Sequence, residues 1–319
     1  MKRNVLITVL VVVLLTVVFF MVKDLFKDKI SEKNSYNHAI DSSATIDSSL
    51  FAYKEIKQIK PAINELKAIA IDAHDNVYVT GLEKVIVYDS KGDVKKEINF
   101  GDTAYAITIS PENEIYLGVR NHIEVWDTTG ILIKKWKPRN INSLITSIAI
   151  NNSSVFVADF TEKNVHHYNR AGKWLKNIAE KDADKGIPGI VLPSPYFDIL
   201  WGRDNELWVA NPGRHSLEAY DDKGNLISSF TKASMDVDGF CGCCNPSNIA
   251  MLSDGCFVTA EKALERVKVL SPEGDLKYVV AGPKDFEKGT KGLDLAVDSK
   301  DRIYVLDPVR KMIRIFTRK

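Results

Sequence analysis

Three of the four cysteines in this 319-residue chain fall within four positions, Cys241, Cys243 and Cys244 in the run FCGCCNPSN. Thiols this close can close a disulfide, hold a soft metal ion as thiolates, or take part in disulfide exchange. Cys241 and Cys244 form a CxxC pair whose bridge would leave Cys243 over. Inert packing is the remaining reading, and residue types alone do not choose among the three. A c-type haem is excluded, because Asn245 stands where such an attachment needs histidine. A closed zinc site has no histidine near in sequence to supply its fourth ligand. Cys256 opens a separate strand-like run and reads as a small buried apolar side chain.

A second set of candidates is oxygen-based. Asp198, Asn248 and Asp294 each stand immediately before a short apolar run, and Glu261 follows another. Carboxylate and amide oxygens brought together from neighbouring strands suit a divalent cation or a polar ligand. Whether they meet depends on the elements that carry them.

Those elements repeat. Ile69-Ala70-Ile71-Asp72 leads to Val77-Tyr78-Val79 and then Val85 to Tyr88, and the same phrase recurs from Ile107, Ile148, Ile199, Ile249 and Leu295. Short alternating runs bounded by Gly, Pro, Asp and Ser are strands joined by tight turns. The aromatic of the second strand falls at 78, 116, 156, 208, 257 and 304, a spacing of roughly 40 to 50 residues, which is the length of a propeller blade. The expectation is an all-β, six-bladed β-propeller over residues 51–319. The last copy lacks room for its outer strand, so Tyr53 to Ile59 is expected to supply it and close the ring.

The phrases VFVADFTEKNVHHY and IYVLDPVRKMIRIF resemble NHL repeats, and the chain from about residue 51 onward resembles an NHL-type six-bladed propeller. The block around GCCNP is similar to a segment of membrane-anchored bacterial NHL-type proteins. The resemblance implies the fold. It leaves function open, since that family contains binding scaffolds as well as lyases and hydrolases. In such repeats the Asp ending the second strand commonly bonds nearby loop backbone, which is the expectation for Asp159 and Asp307.

A meandering blade places the start of its first strand and the end of its second on one face of the disc, here called the mouth face. The residues before each first strand are Ala68, Ala106, Ser147, Asp198, Asn248 and Asp294. The second strands end at Gly81, Val119, Asp159, Asn211, Ala260 with Glu261, and Asp307. The mouth should therefore have one polar side, and the three clustered cysteines enter copy five on the same face. The six histidines are scattered over the tether, turns and outer strands and do not converge on the channel, as a lyase-like zinc site would require. No GxSxG elbow or phosphate-cradling glycine loop is present.

Residues 5–22 are an unbroken run of apolar side chains and threonine. As a helix they would span about 27 Å, close to a hydrocarbon core. No small-x-small cleavage pattern follows, so the reading is one N-terminal transmembrane signal-anchor. Residues 1–4 would then be cytoplasmic, 23–50 a flexible tether rich in Ser, Asp and Asn toward its end, and the propeller extracytoplasmic, periplasmic or on the cell surface. A formal charge of +1 without a basic cluster argues against nucleic acid as a partner. The expected function is a binding or scaffold module presenting its mouth face to a protein partner, with the cysteine loop binding metal or doing redox chemistry. The alternative is a channel-mouth, metal-dependent hydrolase or lactonase-like enzyme whose cofactor would be a divalent cation.

Overall fold

The computed structural model describes residues 46–242 and 244–319, together with Leu14, Thr16, Val17 and Phe19. The chain divides into two compact units, Met1–Ser42 and Ser43–Lys319. Of the first, the four described residues are helical. All but those four residues of the expected membrane span and most of the tether lie outside the described residues, and no helix among the described ones is long and apolar enough to cross a membrane. The last residues assigned to the tether are ordered: Ser48–Leu50 form a short 3-10 turn capped by Asp47, whose Oδ1 accepts from Ser49 N at 2.9 Å.

The second unit is an all-β propeller of antiparallel sheets. Three sheets are four-stranded meanders: Ile145–Ile150 to Trp174–Ile178, Ile199–Trp201 to Leu226–Thr231, and Asn248–Met251 to Leu276–Ala281. A fourth consists of Asp294–Val297, Ile303–Asp307 and Met312–Arg318 with Tyr53–Ile59 as its outermost strand. The ring is thus closed by the first strand of the propeller pairing with the last, as the alternation of YKEIKQI led us to expect.

The expectation of six separate four-stranded blades is corrected to five sheets. Copies one and two form one six-stranded sheet through the 16-residue strand Val94–Ile109. Its first part pairs with Leu82–Tyr88 and its last part with Ile115–Val119. The cause lies in the connection. Between other copies the chain leaves the sheet through proline-bearing loops, whereas 94–109 contains no proline and a single glycine, Gly101, at φ +77°. The strand bends there with a register shift and continues into the next copy, as a bulged strand does.

Every core cluster joins two adjacent copies. Trp208, Phe240, Phe257 and Leu270 pack copy four on copy five, and Val258, Val280, Leu295 and Val305 pack copy five on copy six. The second-strand aromatics that mark the repeat also reach turn acids. Tyr78 donates to Asp72 Oδ2 at 3.1 Å, Tyr304 to Asp298 Oδ2 at 3.2 Å and Trp208 Nε1 to Glu206 Oε1 at 2.8 Å. Each ring buries its body between sheets and satisfies its polar end at the turn.

Candidate functional site

The first strands of all copies line the central channel, which encloses about 370 Å³. Neighbouring first strands are held by side chains at or just before their starts. Thr146 Oγ1 donates to Phe197 O at 2.6 Å, and Ser147 Oγ contacts Ile199 N at 3.3 Å. Asp198 Oδ2 accepts from Ile249 N at 2.7 Å. Asn248 Nδ2 donates to Asp294 Oδ1 at 3.1 Å, and Asp294 Oδ2 accepts from Ile69 N at 2.8 Å. These bonds run from copy three through copies four, five and six to copy one. Copies one and two carry Ala68 and Ala106 instead, and there the continuous strand makes the connection.

Asp198, Asn248 and Asp294 therefore do meet, with their oxygens largely engaged by the scaffold. Asp198 Oδ1 also accepts from Ile199 N at 2.9 Å. Burial pushes the Asp198 carboxyl up to about 6 against the bonds that favour its charge. Burial, and then the charge of Asp198, push Asp294 up to about 7. Asn248 Oδ1 is buried with no hydrogen-bond partner among the described residues.

Beside Asp294 the channel opens into a mouth pocket of about 310 Å³. Its rim is cationic and aromatic: Lys67, Lys291, Tyr105 and Tyr196, over a floor that includes Leu144, Phe197 and Asn248. Lys67 Nζ lies 5.5 Å from the Tyr105 ring centroid, and Lys262 Nζ lies 4.6 Å from that of Tyr196. Burial, and secondarily Cys244, raise the Tyr196 hydroxyl above its ordinary range. Tyr196 and Lys291 come from loops with no repeat signature, whereas Lys67 and Tyr105 stand in strands one residue before Ala68 and Ala106; the sequence patterns singled out none of the four.

Glu261 does not join the mouth. It is buried under the cysteine loop, with Oε2 2.7 Å from Arg266 Nη2 and Oε1 2.8 Å from Lys268 Nζ, all three side chains fully enclosed. The two cations also donate to loop carbonyls, Arg266 Nη2 to Gly239 O at 3.3 Å and Lys268 Nζ to Val237 O at 3.0 Å and Gly239 O at 2.7 Å. Asn245 pins the other end, donating to Cys241 O at 2.6 Å and Lys262 O at 2.9 Å while its Oδ1 accepts from Lys262 N at 2.9 Å.

Cys241 is a buried free thiol, so the bridge to Cys244 is not formed in this structure. Burial first, and then Glu261, raise its pKa above the ordinary thiol value, with Arg266 and Lys268 opposing. Cys244 is buried as well. Cys243 lies outside the described residues. Cys256 stands apart in the core between copies five and six, with its Sγ 3.3 Å from Asp254 Oδ2.

Asp159 and Asp307 behave as the repeat pattern implied. Asp159 Oδ1 accepts from Thr161 N at 2.9 Å, and Asp307 Oδ1 from Arg310 N at 3.0 Å. Asp159 also lies beside Glu162 and His166, a grouping missed in the sequence. Its trace was the spacing Asp-x-x-Glu-x-x-x-His across one hairpin, passed over because this histidine does not face the channel.

No family model matches the chain, and no curated protein matches it. Solved structures do. A streptogramin B lyase aligns at 12% identity over 84% of this chain and 98% of its own, with a TM-score of 0.59. A selenomethionine-substituted virginiamycin B lyase from Staphylococcus aureus aligns at 15% identity over 79% and 81%, with a TM-score of 0.54. A catalytically inactive form of that lyase with quinupristin aligns at 14% identity over 81% and 82%, with a TM-score of 0.56. At this identity the likeness is one of fold, and it places the chain among β-propeller structures.

Proposed function

We propose that this chain is an NHL-type, membrane-anchored extracytoplasmic binding module whose mouth pocket takes an acidic segment of an envelope protein. The observation that carries the reading is the division of labour at the mouth. Asp198 and Asp294 are engaged as ties between strands, while Lys291 and Lys67, the latter paired with Glu65 at 3.0 Å, stand on the rim with Tyr105 and Tyr196. A carboxylate entering such a pocket meets ammonium groups, and its apolar neighbours meet aromatic faces. The anchor rests on residues 5–22. Protease added to spheroplasts should digest the propeller, and full protection until lysis would reverse the orientation. Crosslinking in intact cells should capture a partner with the wild-type chain and lose it in a Lys67→Glu, Lys291→Glu double variant. Equal capture by both chains would remove the mouth pocket from the interaction.

A second reading is favoured by the Asp294 carboxyl, which is pushed up to about 7 and lies where channel and pocket join. A group so tuned can give or take a proton near neutrality, as a channel-mouth hydrolase or lactonase-like enzyme would need. Its divalent cation would rely on Asp198, Asn248 and Asp294 without Glu261. A divalent ion retained through purification and lost on Asp294→Ala supports the enzyme; a metal-free protein that captures its partner supports the binding module.

A further inference from the structure

His166 is 2% exposed and Asp159 1% exposed, on facing strands in copy three, Asp159 at the end of its own. His166 Nδ1 lies 2.9 Å from Asn177 Oδ1, and the amide's Nδ2 donates to Glu180 Oε2 at 3.3 Å. That arrangement puts the oxygen of Asn177 toward the ring, so Nδ1 carries the hydrogen. In the neutral imidazole, Nε2 is then a bare lone pair. It points at two carboxylates, 3.5 Å from Asp159 Oδ2 and 3.2 Å from Glu162 Oε2, and has no hydrogen-bond partner among the described residues. The three donor atoms lie within 4.8 Å of one another. With Asp159 and His166 buried and Glu162 only partly exposed, three electron pairs converge at a cost unless something positive stands between them.

Three other copies show how this position is balanced by charge, while copy four carries Glu218 there, facing Val209, with Asn211, Ser216 and Tyr220 donating to it and Arg214 at 3.8 Å. His166 faces Val157 across its hairpin, as Glu124 faces Leu117, Lys268 faces Thr259 and Arg314 faces Val305. Each of those three has an opposite charge built in: Lys135 at 2.9 Å, Glu261 at 2.8 Å and Glu55 at 2.5 Å. Copy three has two acids and no lysine or arginine at that distance. Arg139 Nε is 3.7 Å from Glu162 Oε2, and its guanidinium is drawn onto the Trp174 ring, 4.1 Å from the centroid.

Each converging group is also held from behind. Asp159 Oδ1 accepts from Thr161 N and Glu162 N, at 2.9 and 3.2 Å, and Glu162 Oε1 accepts from Asn140 Nδ2 at 3.0 Å. Asn177 orients the ring. Backing of this kind fixes ligand atoms for a metal ion. Asp159 and His166 also line a cavity of about 10 Å³, about the room a single water-sized guest takes.

We propose that Asp159, Glu162 and His166 bind one divalent transition-metal ion such as Zn²⁺, through two carboxylate oxygens and His166 Nε2, with open positions for water. Imidazole with carboxylates suits zinc and its neighbours rather than calcium. The site is separate from the mouth pocket and does not depend on how that pocket is used.

The test uses the full-length chain, stripped with chelator and titrated with Co²⁺. The wild type should bind one ion at this site with visible ligand-field bands and no sulfur-to-cobalt charge transfer, which separates it from the cysteine loop. Asn177→Ala should weaken binding about 10–100-fold, the usual effect of losing such backing. His166→Arg copies the pairing of Arg314 with Glu55, so it should fold and bind no cobalt here, with circular dichroism confirming the fold. Failure of the stripped wild type to bind, a purely thiolate spectrum, or unchanged binding in His166→Arg overturns the proposal. The first of these, with NMR showing a proton on Nε2, would make the positive occupant an imidazolium hydrogen.

Discussion

Copies three and five put ionisable side chains at the same places in the same hairpin and balance them by opposite means. In copy five the acid at the end of the second strand, Glu261, meets Arg266 and Lys268 from the third strand, and all three side chains are fully enclosed. In copy three the corresponding acid, Asp159, meets a histidine and a second acid. One arrangement carries its neutralising charge covalently; the other needs a proton or an ion from solution. A permanent pair can be spent on architecture, and the two cations of copy five do hold the carbonyls of the cysteine loop. A group that must be completed from outside responds to what the solution contains. The mouth acids Asp198 and Asp294 belong with the second kind, since the first is buried and the second half-buried, and their partners are backbone N–H groups and an amide rather than cations.

The sharpest way to break this contrast is Glu261→Ala. It leaves Arg266 and Lys268 buried together without an anion, and removing one member of a buried pair costs about 3–5 kcal/mol. Burial already lowers the Lys268 pKa from the ordinary lysine value, so loss of Glu261 should drive it further toward the neutral amine. Chemical denaturation of the propeller should show the full loss. A change below about 1 kcal/mol would mean that water reaches these groups and that the triad is no architectural pair.

Asp294→Asn addresses the acids that lack a cation. A carboxyl whose pKa is raised on folding binds its proton more tightly in the folded state. Between the unfolded value, about 4, and the folded value, about 7, the folded chain therefore holds more protons, and stability falls as pH rises. The wild type should lose about 2–4 kcal/mol over that window from this group, with Asp198 adding a smaller loss that is complete by about pH 6. Asparagine keeps an oxygen for Ile69 N but cannot ionise. It also removes the charge that disfavours ionisation at Asp198, so the stability profile should flatten. Denaturation midpoints across this pH range give the measurement, and a wild-type profile already flat would show that the mouth acids are solvated.

The contrast was only half legible in the sequence. Copies were countable because the second-strand aromatic recurs, and Asp198, Asn248 and Asp294 were correctly brought together because strand starts are a fixed place in a meander. The merged sheet of copies one and two was not legible, because alternation looks the same whether a chain turns between strands or bends through Gly101. Glu261 does end its second strand, at the place Asp159 and Asp307 hold in theirs, but its side chain leaves the mouth. Along a strand successive side chains change face, so it is Ala260 that pairs with Asn248 at the mouth while Glu261 sits across from Arg266. The rim residues Tyr196 and Lys291 arrive on connections whose course no periodicity describes.

The smallest expected effect concerns the cysteines, whose loop is held by the permanent charges on one side and by Asn245 on the other. Cys241 is buried and its pKa is raised, first by desolvation and then by Glu261, so at neutral pH it should be a protonated thiol that alkylates slowly. Asn245→Ala removes three hydrogen bonds that tie Cys241 and Lys262 together. Leaving those backbone groups without partners should cost about 1–3 kcal/mol, and labelling of Cys241, mapped by mass spectrometry, should accelerate while Cys256 in its own core stays protected. Parallel acceleration at Cys256 would indicate global unfolding. Labelling of Cys241 in the wild type at the rate of the unfolded chain would show that the loop is not held, and that the charges beneath it stabilise the sheet alone.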